Sequence, residues 1–121
     1  MLDCLFVGIG GFVGTVLRYL VGLVPVKPAS GFPVTTLFIN VVGAFAIGLI
    51  ASAAAKSGAL SPRMVLMLKV GVCGGFTTFS TFAYETANLI HGGSAFTAGC
   101  YAVLSVALSV LAVFAAQAVV S

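Results

Sequence analysis

The chain has 121 residues, 61% of them hydrophobic and 6% charged. A water-soluble domain carries about 25% charged residues, so this composition excludes one and puts the chain in the membrane class. The net charge of +3 comes from five scattered Lys and Arg residues, which excludes a clustered nucleic-acid surface.

The first apolar segment runs from about residue 2 to 24 and ends at Pro25. It is expected to be a span and not a secretory leader, because Asp3 replaces a basic leader region and the apolar run is too long. Gly10 and Gly14 form a GxxxG pair, which lets two membrane helices approach closely. They do not form a dinucleotide loop, since Val13 occupies the third glycine position and no βαβ context surrounds it. Arg18 falls in the last third of the segment. It either snorkels to the interface or serves as an anion-attracting vestibule charge. A loop follows, punctuated by Pro25, Pro28, Gly31 and Pro33.

The second segment covers about 34 to 55. Its polar feature is Asn40, one turn after Thr36 on the same face. A carboxamide at membrane depth needs a partner. Two readings stay open: a hydrogen bond between helices, or an NH2 donor on an anion path.

The third segment, about 64 to 90, spoils its own helix. Gly74 and Gly75 each weaken a helix by roughly 1 kcal/mol relative to alanine. Thr77, Thr78, Ser80 and Thr81 follow, interleaved with Phe76, Phe79 and Phe82. A break at membrane depth must cover its freed backbone with protein, water or an ion, and such breaks lie where ions bind. Gly74 to Thr78 is therefore expected to offer carbonyl oxygens suited to a hard monovalent cation. Phe79 and Phe82, one turn apart, can turn positive ring edges toward an anion, with Ser80 and Thr81 as hydroxyl donors.

His91 reads as an exposed loop residue. Cys4, Cys73 and Cys100 lie in separate apolar segments with no metal-ligand spacing and read as small hydrophobes. The fourth segment, about 95 to 120, carries Tyr101, Ser105 and Ser109 every four residues. That stripe is either an extension of the hydroxyl ladder or serines bonded to their own helix carbonyls.

Each segment is near the roughly 20 residues a bilayer needs. The expectation is an all-α integral membrane protein, a single domain over 1–121 with four transmembrane helices, the third broken at mid-membrane. Lys56, Arg63 and Lys69 lie toward one side and Arg18 and Lys27 toward the other. Lys/Arg excess normally fixes orientation; a near balance predicts an antiparallel, dual-topology homodimer. No nucleophile–base pair, carboxylate pair or phosphate loop is present, so no enzyme is expected.

These residues resemble the bacterial Fluc (CrcB-type) fluoride channels over essentially the whole chain. The match includes Gly10-Gly11 with Gly14 and Arg18-Tyr19, Leu37-Phe38-Ile39-Asn40 with Gly43, and the long Gly74–Phe82 motif with Glu85. The resemblance implies a passive fluoride channel in the bacterial inner membrane that exports cytoplasmic fluoride. It implies two fluoride pores in an antiparallel dimer and a central sodium ion, structural and not transported, held by main-chain oxygens of Gly74 and Thr77. It also implies a fluoride pathway along Asn40, Phe79, Phe82, Ser80, Thr81, Tyr101, Ser105 and Ser109, with Arg18 in the vestibule. Two other classes share the size and topology. A small multidrug-type proton-coupled exporter normally has a first-span glutamate, which this chain lacks. A non-transporting membrane assembly subunit would need only the GxxxG contacts.

Overall fold

The computed structural model describes all 121 residues. Four helical stretches are long and apolar enough to cross a membrane: Leu2–Gly22, Val34–Ser57, Pro62–His91 and Ala95–Val120. The chain is an all-helical, multi-pass membrane protein.

Helix α1 (Leu2–Gly22) runs into a turn ahead of Pro25. Helix α2 (Val34–Ser57) stops at Gly58, whose φ of 63° is left-handed and whose amide returns to the Ala54 carbonyl. That is the glycine helix stop. The third span is a composite. Ser61 accepts the Met64 amide at 3.2 Å and Pro62 takes the first helical position, a start signal that opens the span two residues before its apolar run. Helix α3 (Pro62–Leu66) passes into a π-helical segment, Met67–Cys73, then helix α4 (Gly74–Phe76). After two extended residues, helix α5 (Phe79–His91) follows, and helix α6 (Ala95–Val120) completes the bundle.

Close backbone contact joins α1 to the π segment. A Cβ on Gly10 would run into the Met67 carbonyl and the Val72 amide. One on Gly14 would meet the Val72 carbonyl and Phe76 amide, and one on Gly71 the Val7 carbonyl at 2.8 Å. The GxxxG pair thus works inside one chain, seating the third span against the first. On the other side α2 packs along α6, with Gly48 tight against Ala116.

Arg63 Nε donates to Asp3 Oδ1 at 2.8 Å, and Lys56 Nζ donates to the Val120 carbonyl at 2.7 Å. These bonds gather both termini and the α2–α3 connection at one end of the bundle. Only 12 of 121 residues are buried, so most of the apolar surface faces outward. Water cannot solvate that surface; lipid or another apolar protein face can.

Candidate functional site

The third span loses helical geometry at Thr77 (φ −80°, ψ 161°) and Thr78 (φ −152°, ψ 111°). The sequence placed the break over Gly74 to Thr78, and the structure narrows it to the last two of those residues. Gly74 and Gly75 stay helical. Gly75 serves packing instead, since a Cβ there would sit 2.7 Å from the Gly11 carbonyl. The interruption falls on the β-branched threonines, which give up helical geometry more readily.

Each backbone group at the interruption can be followed. In a continuous helix the Thr78 amide would return to the Gly74 carbonyl. It donates instead to Asn40 Oδ1 at 2.8 Å, and Asn40 Nδ2 donates to the Thr78 carbonyl at 3.1 Å. The Thr81 amide would return to Thr77. It donates instead to Thr78 Oγ1 at 3.1 Å, an N-cap for α5. The Gly74 and Thr77 carbonyls therefore lose their usual amide partners. The Gly75 carbonyl accepts from Arg18 Nε at 3.1 Å and Thr15 Oγ1 at 3.5 Å. Gly74 lies exposed on the surface. Two carbonyl oxygens without helical donors suit a hard cation held by main-chain ligands, so the pair fits such an ion.

A cleft of about 400 Å³ opens beside the interruption, within the usual range of ligand sites. Its walls include Asn40, Thr77, Phe79, Phe82, Ser105 and Ser109. Phe79 is 78% exposed at its rim, and Phe79 and Phe82 sit 5.5 Å apart between ring centres. Ser105 is only 7% exposed, and its Oγ has no hydrogen-bond partner. It is thus not bonded to its own helix, and Ser105 is among the residues that line the cleft. The second Nδ2 hydrogen of Asn40 is likewise not needed by Thr78.

A second, more polar crevice lies on the far side of Thr78. Arg18, Thr36, Thr81 and Glu85 line it, with Thr78 common to both depressions. Glu85 is its centre. Tyr101, fully buried, donates to Glu85 Oε1 at 2.9 Å, and Thr36 Oγ1 donates to Glu85 Oε2 at 3.1 Å. Four rings run in contact from the cleft toward the loop after α1. Phe79 touches Phe82, Phe82 lies 5.1 Å from Tyr101, and Phe32 meets Tyr101 edge-on at 5.5 Å.

Asn40, Phe79, Phe82, Ser105 and Ser109 thus share one cleft, while Thr81 and Arg18 line the other. Tyr101 bridges the two depressions through Phe82 and Glu85. Ser80 is exposed beside Thr78, their hydroxyls 3.4 Å apart. Arg18 reaches inward to the interrupted span. Glu85, Thr36 and Phe32 were not among the site residues read from the sequence. A carboxylate inside a span was the available signal; nothing local marked Phe32.

Comparison with known proteins places this geometry in a family. A family model described as "CrcB-like protein, Camphor Resistance (CrcB)" matches residues 5–117. A protein of Chlorobaculum tepidum named "Fluoride-specific ion channel FluC" is 47% identical over 107 residues, covering 88% of this chain and 85% of the relative. Proteins of the same name from Rhizobium meliloti and Clostridium novyi are 47% and 44% identical, each over 115 residues. Both alignments cover 94% of this chain, with 92% and 90% of the relatives covered respectively.

Proposed function

This chain belongs to the CrcB-like family, and we propose that it is a passive, fluoride-selective channel that lets cytoplasmic fluoride leave across the bacterial inner membrane. The observation that carries the reading is the cleft beside Thr77 and Thr78. Phe79, Phe82 and Ser105, whose buried hydroxyl has no partner, line one apolar-walled space. Leaving a buried donor unpaired costs about 1–3 kcal/mol. A small anion that sheds its water recovers that cost by accepting the hydrogen bond. The positive ring edges and the free Asn40 N–H add to it without placing a fixed charge in the path, so the ion is held weakly enough to move on. Larger halides fit less closely and gain less from the same donors. The names of the relatives supply the ion; the cleft supplies its chemistry.

Thr81, Ser80 and Ser109 extend the donors to either side, Tyr101 backs Phe82 with its own hydroxyl committed to Glu85, and Arg18 sets a positive potential at the neighbouring crevice. The active unit in this reading is an antiparallel homodimer. Its support is the near-equal Lys/Arg count on the two sides, the large outward apolar surface, and the exposure of Gly74 and Phe79. A sodium ion at the two-fold axis would be held by the Gly74 and Thr77 carbonyls of both copies and would brace the interrupted spans against one another. Glu85 accepts from two hydroxyls within its own chain, which does not favour a proton-coupled drug exporter.

Purified protein in liposomes tests this proposal. Fluoride is expected to leave rapidly through a passive, electrically driven flux while chloride stays inside. Chloride release at a comparable rate would sink it.

A further inference from the structure

Phe32 stands in the loop between α1 and α2 and does not line the cleft. Its place is fixed from both sides. Gly31, with a left-handed φ of 77°, donates its amide to the Pro28 carbonyl at 3.0 Å. The Phe32 amide donates to Ser30 Oγ at 3.3 Å, and its carbonyl accepts from the Val34 amide at 2.8 Å. Phe32 immediately precedes Pro33, the cap of α2. An apolar side chain there usually packs back on its own helix. This ring reaches another one: it meets Tyr101 of α6 at 5.5 Å with the planes 77° apart, an edge-on pair. It also lines a crevice between the loop and α5, whose wall includes Thr36 and Glu85 but not Tyr101. Tyr101 is fully buried and is held at three points: the Phe32 ring, the bond to Glu85, and the Phe82 ring at 5.1 Å.

We infer that Phe32 is a positioning residue for the anion path: acting through Tyr101, it holds the Phe82 ring in the orientation the cleft uses. The inference rests on the reading of this cleft as that path. Phe32 and Phe82 each pair with Tyr101 and not with each other. A phenylalanine ring beside an open space turns in a broad torsional well unless its neighbours hold it. Phe82 has two ring neighbours, Phe79 exposed at the rim and Tyr101 buried and hydrogen-bonded. Tyr101 is the rigid one, so its orientation sets that of Phe82. The Glu85 bond fixes the tip of Tyr101 but leaves the ring free to rock about its long axis. The edge-on Phe32 ring removes that freedom. The consequence for an anion is direct, because an aromatic ring is positive at its edge and negative on its face. A Phe82 ring that turns offers the wrong side. A residue of the connecting loop thus governs the cleft without touching the ion.

The test compares Phe32→Leu with Phe32→Tyr and reads two quantities: fluoride efflux from liposomes, and the fluorine NMR resonance of para-fluorophenylalanine placed at position 82 alone. Leucine keeps an apolar group before the cap of α2 but no ring, whereas tyrosine keeps the ring. Phe32→Leu should shift or broaden the resonance at position 82 and lower fluoride efflux about tenfold, the upper end of what one aromatic pair contributes to an equilibrium. Phe32→Tyr should restore both. A resonance at position 82 unchanged by Phe32→Leu overturns the inference, as does full efflux through that variant. Equal losses in the two variants also overturn it, since the ring is then not what matters. Phe32→Met, whose flexible chain adapts to an irregular gap, replaces Phe32→Leu in the comparison if the leucine variant does not fold. Protein that conducts no fluoride before substitution fails the proposed channel function, and the resonance still decides whether Phe32 positions the ring at 82.

Discussion

Replacing Asn40 by alanine removes both hydrogen bonds that hold the interrupted span open, the 2.8 Å bond to the Thr78 amide and the 3.1 Å bond to its carbonyl. Hydrogen bonds between helices in a membrane contribute about 0.6 kcal/mol on average and up to about 1.7, while a buried group left unpaired costs about 1–3 kcal/mol. The two together predict a loss of about 2 kcal/mol, close to a 30-fold shift in the folding equilibrium. The freed Thr78 amide also has a ready alternative, the Gly74 carbonyl four residues back. Taking it would heal the helix and consume an oxygen assigned here to a cation. Reversible unfolding in mixed detergent micelles measures the first effect; fluoride efflux from liposomes measures the second. Asn40→Ala should be less stable by about this amount and conduct poorly. A variant within about 0.5 kcal/mol of the parent, the range of an ordinary surface change, and conducting at the parent rate would refute the reasoning.

Gly14→Ala forces a Cβ against the Val72 carbonyl and Phe76 amide, whereas Gly8→Ala meets nothing within 4 Å. The first should cost about 1–3 kcal/mol through overpacking and the second should be close to neutral, as thermal unfolding of the two variants in detergent will reveal. Reconstitution with a bulky organic cation in place of sodium should abolish fluoride flux or dissociate the dimer, read by efflux and by size in detergent. Indifference to the cation would count against an ion at Gly74 and Thr77.

The four spans were legible because a bilayer demands long apolar runs, and 61% hydrophobic residues leave few ways to divide this chain. Asn40 stood out for the same reason: a carboxamide in such a run needs a partner. What stayed illegible were the partners themselves. Thr36 shares a helix face with Asn40, yet one reaches Glu85 and the other Thr78, a divergence fixed by how α2 packs and not by its periodicity. The π segment at Met67–Cys73 had no sequence signal. Its wide turn accompanies the close approach of Gly10 and Gly14 from another helix, and hydrogen-bond register answers to such contacts as much as to local propensity. Within the expected Gly74 to Thr78 stretch the glycines themselves stay helical, since glycine can serve tight packing as readily as a break. Arg18 looked like an interfacial charge by its place in the segment. Its guanidinium reaches back to the Gly75 carbonyl, within the span of a long side chain.

Phe79 gives the most direct test of the central claim, that anions cross at the cleft beside the interrupted span. Its ring lies at the cleft rim and makes its close aromatic contact with Phe82, so Phe79→Ile removes a positive ring edge while leaving an apolar side chain in its place. Fluoride efflux from liposomes holding Phe79→Ile should fall steeply while the protein keeps its fold and its dimer. Full fluoride flux through this variant would contradict the account.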